Sequence, residues 1–200
     1  GHSGVHLAAF SVANAEGAHQ RLGDAGFAMR PLVQFQRPVD TVNGPGVAAF
    51  TVVRLERGAM AEGRIQILAH RTEDAVWQPR WLNHPNGAQG LIDLVVVSAD
   101  PGEAAARFVR FTGHKARSTQ YGQAIALDRG QVQLVSRNAF EAMLPEIAIP
   151  SLPFLGAYAV RVQSLAATQA LLQREGMAMR PIGKAPATAS VEKKFPKPVM

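Results

Sequence analysis

Gly26-Phe27-Ala28-Met29-Arg30-Pro31 and Gly176-Met177-Ala178-Met179-Arg180-Pro181 are two copies of one hexapeptide, matching at five of six positions at an offset of 150 residues. Self-similarity of this kind marks repeated structure, and it decides how the rest of the chain is read. The match extends backwards without a gap. Val12 aligns with Val162, Leu22 with Leu172, and the alternating segment 6–12 with 156–162. Each copy reads as a strand, a helix, then a glycine turn that opens a second strand.

A third copy lies between these two. Ile92–Ser98 (IDLVVVS) is rich in β-branched residues, as strands are. Asp100-Pro101 is a helix start, with Asp as N-cap and Pro at the first helical position. Apolar positions continue to Phe111, and Gly113 closes the helix as Gly26 and Gly176 close theirs. Further strands are expected at 30–39, 47–55 and 64–68 after the first helix, and at 116–120, 123–128 and 131–136 after the second. Turn signals separate them: Asn43-Gly44-Pro45, Gly63, Tyr121-Gly122 and Asp128-Arg129-Gly130. Each full unit therefore reads βαβββ, which defines an α+β fold with repeated units in mixed sheets. The expected organisation is a unit over 1–75, a linker over 76–90, a second unit over 91–138, a linker over 139–153, a partial third unit over 154–182 and a flexible tail over 183–200.

Composition narrows the function classes. Hydrophobic residues are 47 % and charged residues 18 %, which suffices for a packed core. No run approaches the roughly 18 apolar residues of a membrane span, so no membrane partner is expected. Residues 1–20 lack a basic start followed by an apolar block, so no signal peptide is visible. There are no cysteines. Disulfide scaffolds, zinc fingers, iron–sulfur sites and thiol nucleophiles are thereby excluded, and a reducing cytoplasm fits. The net charge is +6, of which the segment containing Lys184, Lys193, Lys194 and Lys197 carries +3 beside a single acid, Glu192. The remaining arginines are spread along the chain and aromatics are 6 %, so nucleic acid is not an expected partner.

The βαβββ repeat resembles the vicinal oxygen chelate superfamily, the group of glyoxalases and extradiol dioxygenases (a glyoxalase/dihydroxybiphenyl dioxygenase-like fold). Trp81-Leu82-Asn83-His84-Pro85-Asn86-Gly87-Ala88 is similar to a joining segment of bacterial glyoxalase-like domain proteins. The resemblance implies units that pair so that curved sheets enclose a cavity, often with a divalent metal. It implies a small oxygenated or carbonyl compound as partner and, if the chain is an enzyme, lyase, isomerase or dioxygenase-like chemistry. It also implies a neighbour for the unit over 1–75, supplied by a preceding unit or by a partner chain in a homo-oligomer such as a dimer. Leaving its hollow face in water would cost about 25 cal/mol per Å² of apolar area.

The family's ligand pattern, as the resemblance implies it, places a His seven residues before the helix-start residue and a Glu in the fourth strand of each unit. In the first unit the helix-start residue is Asn14, seven back is Leu7, and Gln66 stands at the Glu position. His6 is adjacent and would face the other side unless a bulge re-aimed it. In the second unit the helix-start residue is Asp100, seven back is Asp93, and Gln133 stands at the Glu position. In the third the corresponding residue is Ala157. Leu7, Gln66, Asp93 and Gln133 are a poor set for Zn²⁺, Fe²⁺ or Ni²⁺. The metal site is therefore expected to be degenerate or completed from outside the chain, and the cofactor is unknown.

Each candidate has two readings. Gln66 and Gln133 can orient a carbonyl or carboxylate, or they are ordinary polar residues of a sheet face. Asp93 is a general base or weak metal ligand in a cavity, or it pairs with a nearby arginine at a domain edge. His84, near Trp77, Trp81, Asn83 and Asn86, lines a ligand pocket at the seam, or Trp81 anchors the linker in the core while 84–87 forms a turn with Gly87 at positive φ. His19, His70 and His114 are expected to be solvated. No His-x-His, His-Glu-x-x-His, Gly-x-Ser-x-Gly or P-loop pattern occurs. Three classes remain: an enzyme, a non-catalytic small-molecule binder, and a dimerisation module.

Overall fold

The computed structural model describes residues 4–180. His2 and the tail expected over 183–200 lie outside the described residues, as does any second strand of the third unit beyond Arg180. The chain runs β1 (Leu7–Ser11), α1 (Ala15–Asp24), β2 (Val33–Thr41), β3 (Gly44–Arg54), β4 (Arg64–His70), α2 (Glu73–Val76), α3 (Pro79–Leu82) and β5 (Ala88–Val97). It continues with α4 (Pro101–Thr112), β6 (Ala116–Thr119), β7 (Gly122–Leu127), β8 (Gly130–Val135), α5 (Arg137–Met143), β9 (Phe154–Val162) and α6 (Leu165–Arg174).

Local chemistry sets the three repeated helices in the same way. Their N-caps are Asn14, Asp100 and Ser164, and each side chain accepts a hydrogen bond from a backbone N–H of the first turn. The turns that follow the helices hold Gly26, Gly113 and Gly176 at φ of +82°, +77° and +69°, where a Cβ would be strained. The hexapeptide repeat is visible even in single bonds. Phe27 N–H donates to the Leu22 carbonyl at 3.0 Å, and Met177 N–H to the Leu172 carbonyl at 2.9 Å.

Sheet one has the order β1-β4-β3-β2 and sheet two the order β6-β7-β8-β5-β9. The units share one topology. The first strand lies parallel to the fourth, and the second, third and fourth form an antiparallel ladder. The register makes Leu7 opposite Arg64 the counterpart of Asp93 opposite Gln131. The first strand of the third copy, β9, does not begin a sheet of its own. It adds antiparallel to β5, from Ala88 opposite Val162 to Val97 opposite Phe154. That pairing explains why β5 starts at Ala88, inside the expected linker: β9 supplies backbone partners there. The short helix α3 lies within the first expected linker, while α2 and α5 straddle the boundaries expected at 75/76 and 138/139.

Both sheets bury one face against a common core. In β4, Ile65, Ile67 and Ala69 are buried while the alternate residues Gln66, Leu68 and His70 are half-buried. One cluster joins Ala15, Ala18, Leu22, Phe27, Ile65 and Ile67 of the first unit to Leu94, Val96, Phe108, Phe111, Ile125 and Leu134 of the second. Phe111 meets Phe10 and Phe27 edge-on, with ring centroids 5.3 and 6.2 Å apart. The Arg21 guanidinium donates to the carbonyls of Arg110 and Phe111, at 3.1 and 2.7 Å. It thus satisfies carbonyls of the last turn of α4 that the helix leaves without a partner. A smaller cluster of Val95, Val97, Val135, Phe140 and Phe154 lies under α5. Gly156 permits this packing, because a Cβ there would fall 2.6 Å from the Phe140 ring.

An ion pair ties the units together a second time. Arg107 on α4 donates through Nε to Glu62 at 3.1 Å and through Nη1 to Glu103 at 3.0 Å. The Glu62 side chain is 1 % exposed. Burial would lower the Arg107 pKa, but Glu62 and Glu103 outweigh it and raise the guanidinium above its ordinary value. Removing one partner of such a pair strands the other charge. Arg107→Ala should destabilise the protein by about 3–5 kcal/mol in urea unfolding. Arg137→Ala, which breaks the exposed Arg137–Glu141 pair, should change stability by no more than about 0.5 kcal/mol.

Candidate functional site

The open face of sheet two carries the polar residues that sequence reasoning singled out. Strand alternation puts Leu94 and Val96 into the core and turns Asp93, Val95 and Val97 the other way. At one end of that face, Val95, Val97 and Val135 are covered by the α5 region. At the other end Asp93 meets β8. Its Oδ2 accepts a hydrogen bond from Gln133 Nε2 at 3.1 Å. Asp93 is half-buried and Gln133 is 8 % exposed. The partner of Asp93 is thus an amide, not the arginine that the domain-edge reading expected. Arg117 on β6 donates to Gln131 Oε1 at 3.0 Å, next to Asp93 in the β5–β8 register.

Small side chains surround this strip. Ala159 and Ala157 on β9 stand opposite Asp93 and Val95. Ala126 and Ala124 on β7 stand opposite Gln131 and Gln133. In this strip of alanines and polar side chains Arg117 is exposed, Asp93 and Gln131 are half-buried, and Gln133 is buried. The set offers a carboxylate acceptor, two amides that both donate and accept, and a guanidinium donor.

Gln66 occupies the position in β4 that Gln133 occupies in β8, as the two registers show. The two amides are nevertheless not brought together. The helix-covered faces of the sheets share one core, so their open faces are separated by it. Gln66 instead lines a cleft of about 570 Å³ at the β3–β4 end of sheet one, with Arg30, Arg54, Glu56, Arg57 and Arg64. Sequence reasoning missed this group because the arginines are dispersed along the chain. The hairpin turn at 55–63 and the return of Arg30 beside Arg54, whose carbonyl accepts from Arg30 N–H at 2.9 Å, collect them.

The linker corrects one expectation. Trp81 is not a core anchor: it is 56 % exposed, with the Arg80 guanidinium 4.8 Å from its ring centre. The buried residue is Gln78, which donates to the carbonyls of Asp40 and Ala75 at 2.8 and 2.9 Å. A polar side chain holds the linker because it satisfies two backbone acceptors at once. His84 is exposed, in a turn closed by Gly87 N–H to its carbonyl at 2.9 Å with Gly87 at φ +71°. His70 is not simply solvated. Its ring sits 5.0 Å from Phe50 and 5.7 Å from Trp77, with Nδ1 buried and without a hydrogen-bond partner. His19 is half-buried, with Nε2 3.0 Å from the Arg30 carbonyl.

The residues do not fit the family's metal. Leu7, which stands at the expected His position and pairs opposite Arg64, has no side-chain atom that can ligate a metal, and His6 precedes the first strand. Among the described residues no three His, Asp or Glu side chains gather as a metal-binding group. Asp93 has amides rather than imidazoles or carboxylates beside it.

The glyoxalase-like domain family matches residues 1–112, from before β1 through α4. The chain belongs to that family, within the vicinal oxygen chelate superfamily. Among solved structures, it is similar to a hypothetical protein from Staphylococcus aureus, at 8 % identity and a TM-score of 0.50, over 63 % of this chain. The chain spans about half of that protein, 50 % of its length. It is also similar to lactoylglutathione lyase from Agrobacterium tumefaciens, at 14 % identity and a TM-score of 0.33, over 69 % of this chain and 96 % of that one. No curated protein matches the chain in sequence.

The Asp93–Gln133 bond is open to a direct check. Gln133→Met removes the donor and leaves a half-buried carboxylate unpaired, so stability should fall by about 1–3 kcal/mol in urea titration. Adding Asp93→Ala to that variant should recover part of the loss, because the stranded acceptor is then gone too.

Proposed function

We propose that this chain is a small-molecule-binding member of its family, and that its ligand is a small hydroxy or oxo carboxylate held on the open face of sheet two. The observation that carries this reading is the Asp93–Gln133 hydrogen bond beside Gln131 and Arg117. Asp93 accepts from a ligand hydroxyl, Gln131 or Gln133 orients a carbonyl, and Arg117 faces the ligand carboxylate with a charge-assisted bond. If the bound compound is also turned over, Asp93 is the residue to move a proton, as general base. His84 on the exposed linker turn is the secondary candidate for ligand contact. The residue types here argue against an autonomous metal centre in this chain, and a completed one would need donors from elsewhere. No described helix is long and apolar enough to cross a membrane, and the cysteine-free sequence suits a cytoplasmic setting.

A second reading concerns partners and rests on strand pairing. In sheet two the first strands of two units lie side by side, β5 against β9. In sheet one the corresponding strand, β1, is an edge among the described strands. A second copy of this chain placing its own β1 antiparallel to that edge would make a symmetric dimer.

A thermal-shift series with small hydroxy and oxo carboxylates tests the first reading. A ligand selective for the folded state stabilises it by about 2.7 kcal/mol when present at 100 times its Kd. At least one member of the series should raise the melting temperature, and Asp93→Asn should abolish the rise. No shift at millimolar ligand would remove the reading. Elemental analysis of dialysed protein should find no stoichiometric Zn, Ni, Fe or Mn. Retained metal would restore a metal-dependent enzyme.

A further inference from the structure

We propose that the cleft at the β3–β4 end of sheet one is a separate binding site for a small organic dianion, a dicarboxylate or a phosphomonoester. Arg30, Arg54, Arg57 and Arg64 line it, against one carboxylate, Glu56. Glu56 neutralises little of this charge. Its contact with Arg30 is long, at 3.8 Å, and both side chains are about half exposed. Arg57 and Arg64 make no ion pair among the described residues. The Arg54 Nε is buried and has no hydrogen-bond partner. That Nε is closed off from the cleft, so a ligand would meet the terminal nitrogens of Arg54, whose charge no acidic partner offsets among the described residues.

Gln66 completes the recognition set. It stands opposite Arg54 in the β3–β4 register and lines the same cleft. Its amide can donate to an oxyanion or accept from a ligand hydroxyl. The volume of about 570 Å³ is that of a metabolite-sized ligand rather than a lone ion. No aromatic side chain lines it, so it lacks the stacking surface that single-stranded nucleic acid requires. The wall is fixed from behind. The turn at 55–63 is closed by Ala59 N–H to the Glu56 carbonyl and Gly63 N–H to the Met60 carbonyl, and Glu62 pins it to Arg107. Four arginines against one glutamate give the cleft a net positive charge, which favours a dianion over a monoanion.

The test is calorimetric titration of the full chain at low ionic strength with inorganic phosphate, succinate and acetate. Phosphate or succinate should bind, with acetate clearly weaker. Binding of phosphate alone assigns a phosphoryl ligand, and of succinate alone a dicarboxylate. Arg57→Gln with Arg64→Gln should weaken that binding by at least about tenfold with an unchanged circular dichroism spectrum, since both side chains are exposed. Arg129→Gln, an exposed arginine outside the cleft, should leave binding unaltered. The proposal fails if neither dianion binds, if the double variant binds as tightly as the parent, or if Arg129→Gln weakens binding equally. Asp93→Asn should not alter dianion binding here, so this result stands apart from the reading of sheet two.

Discussion

The molecule rests on one steric and hydrophobic constraint: the helix-covered faces of two amphipathic sheets share a single core. Phe10 and Phe27 come from one unit and Phe108 and Phe111 from the next; Phe111 meets Phe10 and Phe27 edge to face, and Phe108 meets Phe10 at a tilt. Arg21 then reaches across and occupies the terminal carbonyls of α4. Burying those faces together leaves each sheet with its other face for a different use. The functional chemistry is divided as a consequence. Asp93 and Gln133 belong to one open face and Gln66 with its arginines to another, and no single cavity can collect all of them.

Much of this architecture was legible in the chain itself. Capping residues, turn glycines and alternating strands are local signals, and local signals repeat when structure repeats. The βαβββ order could be read from them, as could the equivalence of Gln66 and Gln133. What could not be read is set by contacts distant in sequence. That β9 would join β5 depends on a pairing across some 65 residues, which no periodicity announces. Trp81 looked like an anchor because large aromatics usually bury, yet Gln78 took that place by answering two carbonyls. The amide beside Asp93 followed from register, but whether amide or arginine would reach it did not. The arginine cleft was invisible for the same reason: linear dispersion says nothing about which residues a hairpin turn gathers.

The Glu62–Arg107 pair links these two levels. A buried ion pair is a weak source of net stability, since desolvation offsets much of the attraction. Its contribution here is positional. Glu62 sits in the turn that walls the arginine cleft, and Arg107 sits on the helix that packs the second unit. The cleft on sheet one is therefore held in place by a residue of the opposite unit. Its geometry depends on inter-unit docking as well as on its own strands.

The third copy shows how far sequence identity fixes packing. Phe27 and Met177 hold the same place in the hexapeptide, and both follow a helix capped and closed in the same way. Phe27 is 8 % exposed and Met177 is 58 % exposed. The difference lies in the neighbours. Phe27 has Phe111 against it, while α6 buries none of its residues among those described. Local signals thus build the strand, helix and turn of every copy. Burial comes only where another unit presents an apolar surface to receive it. A repeat of this kind is a structural unit by its sequence, and a packed one only by its partner.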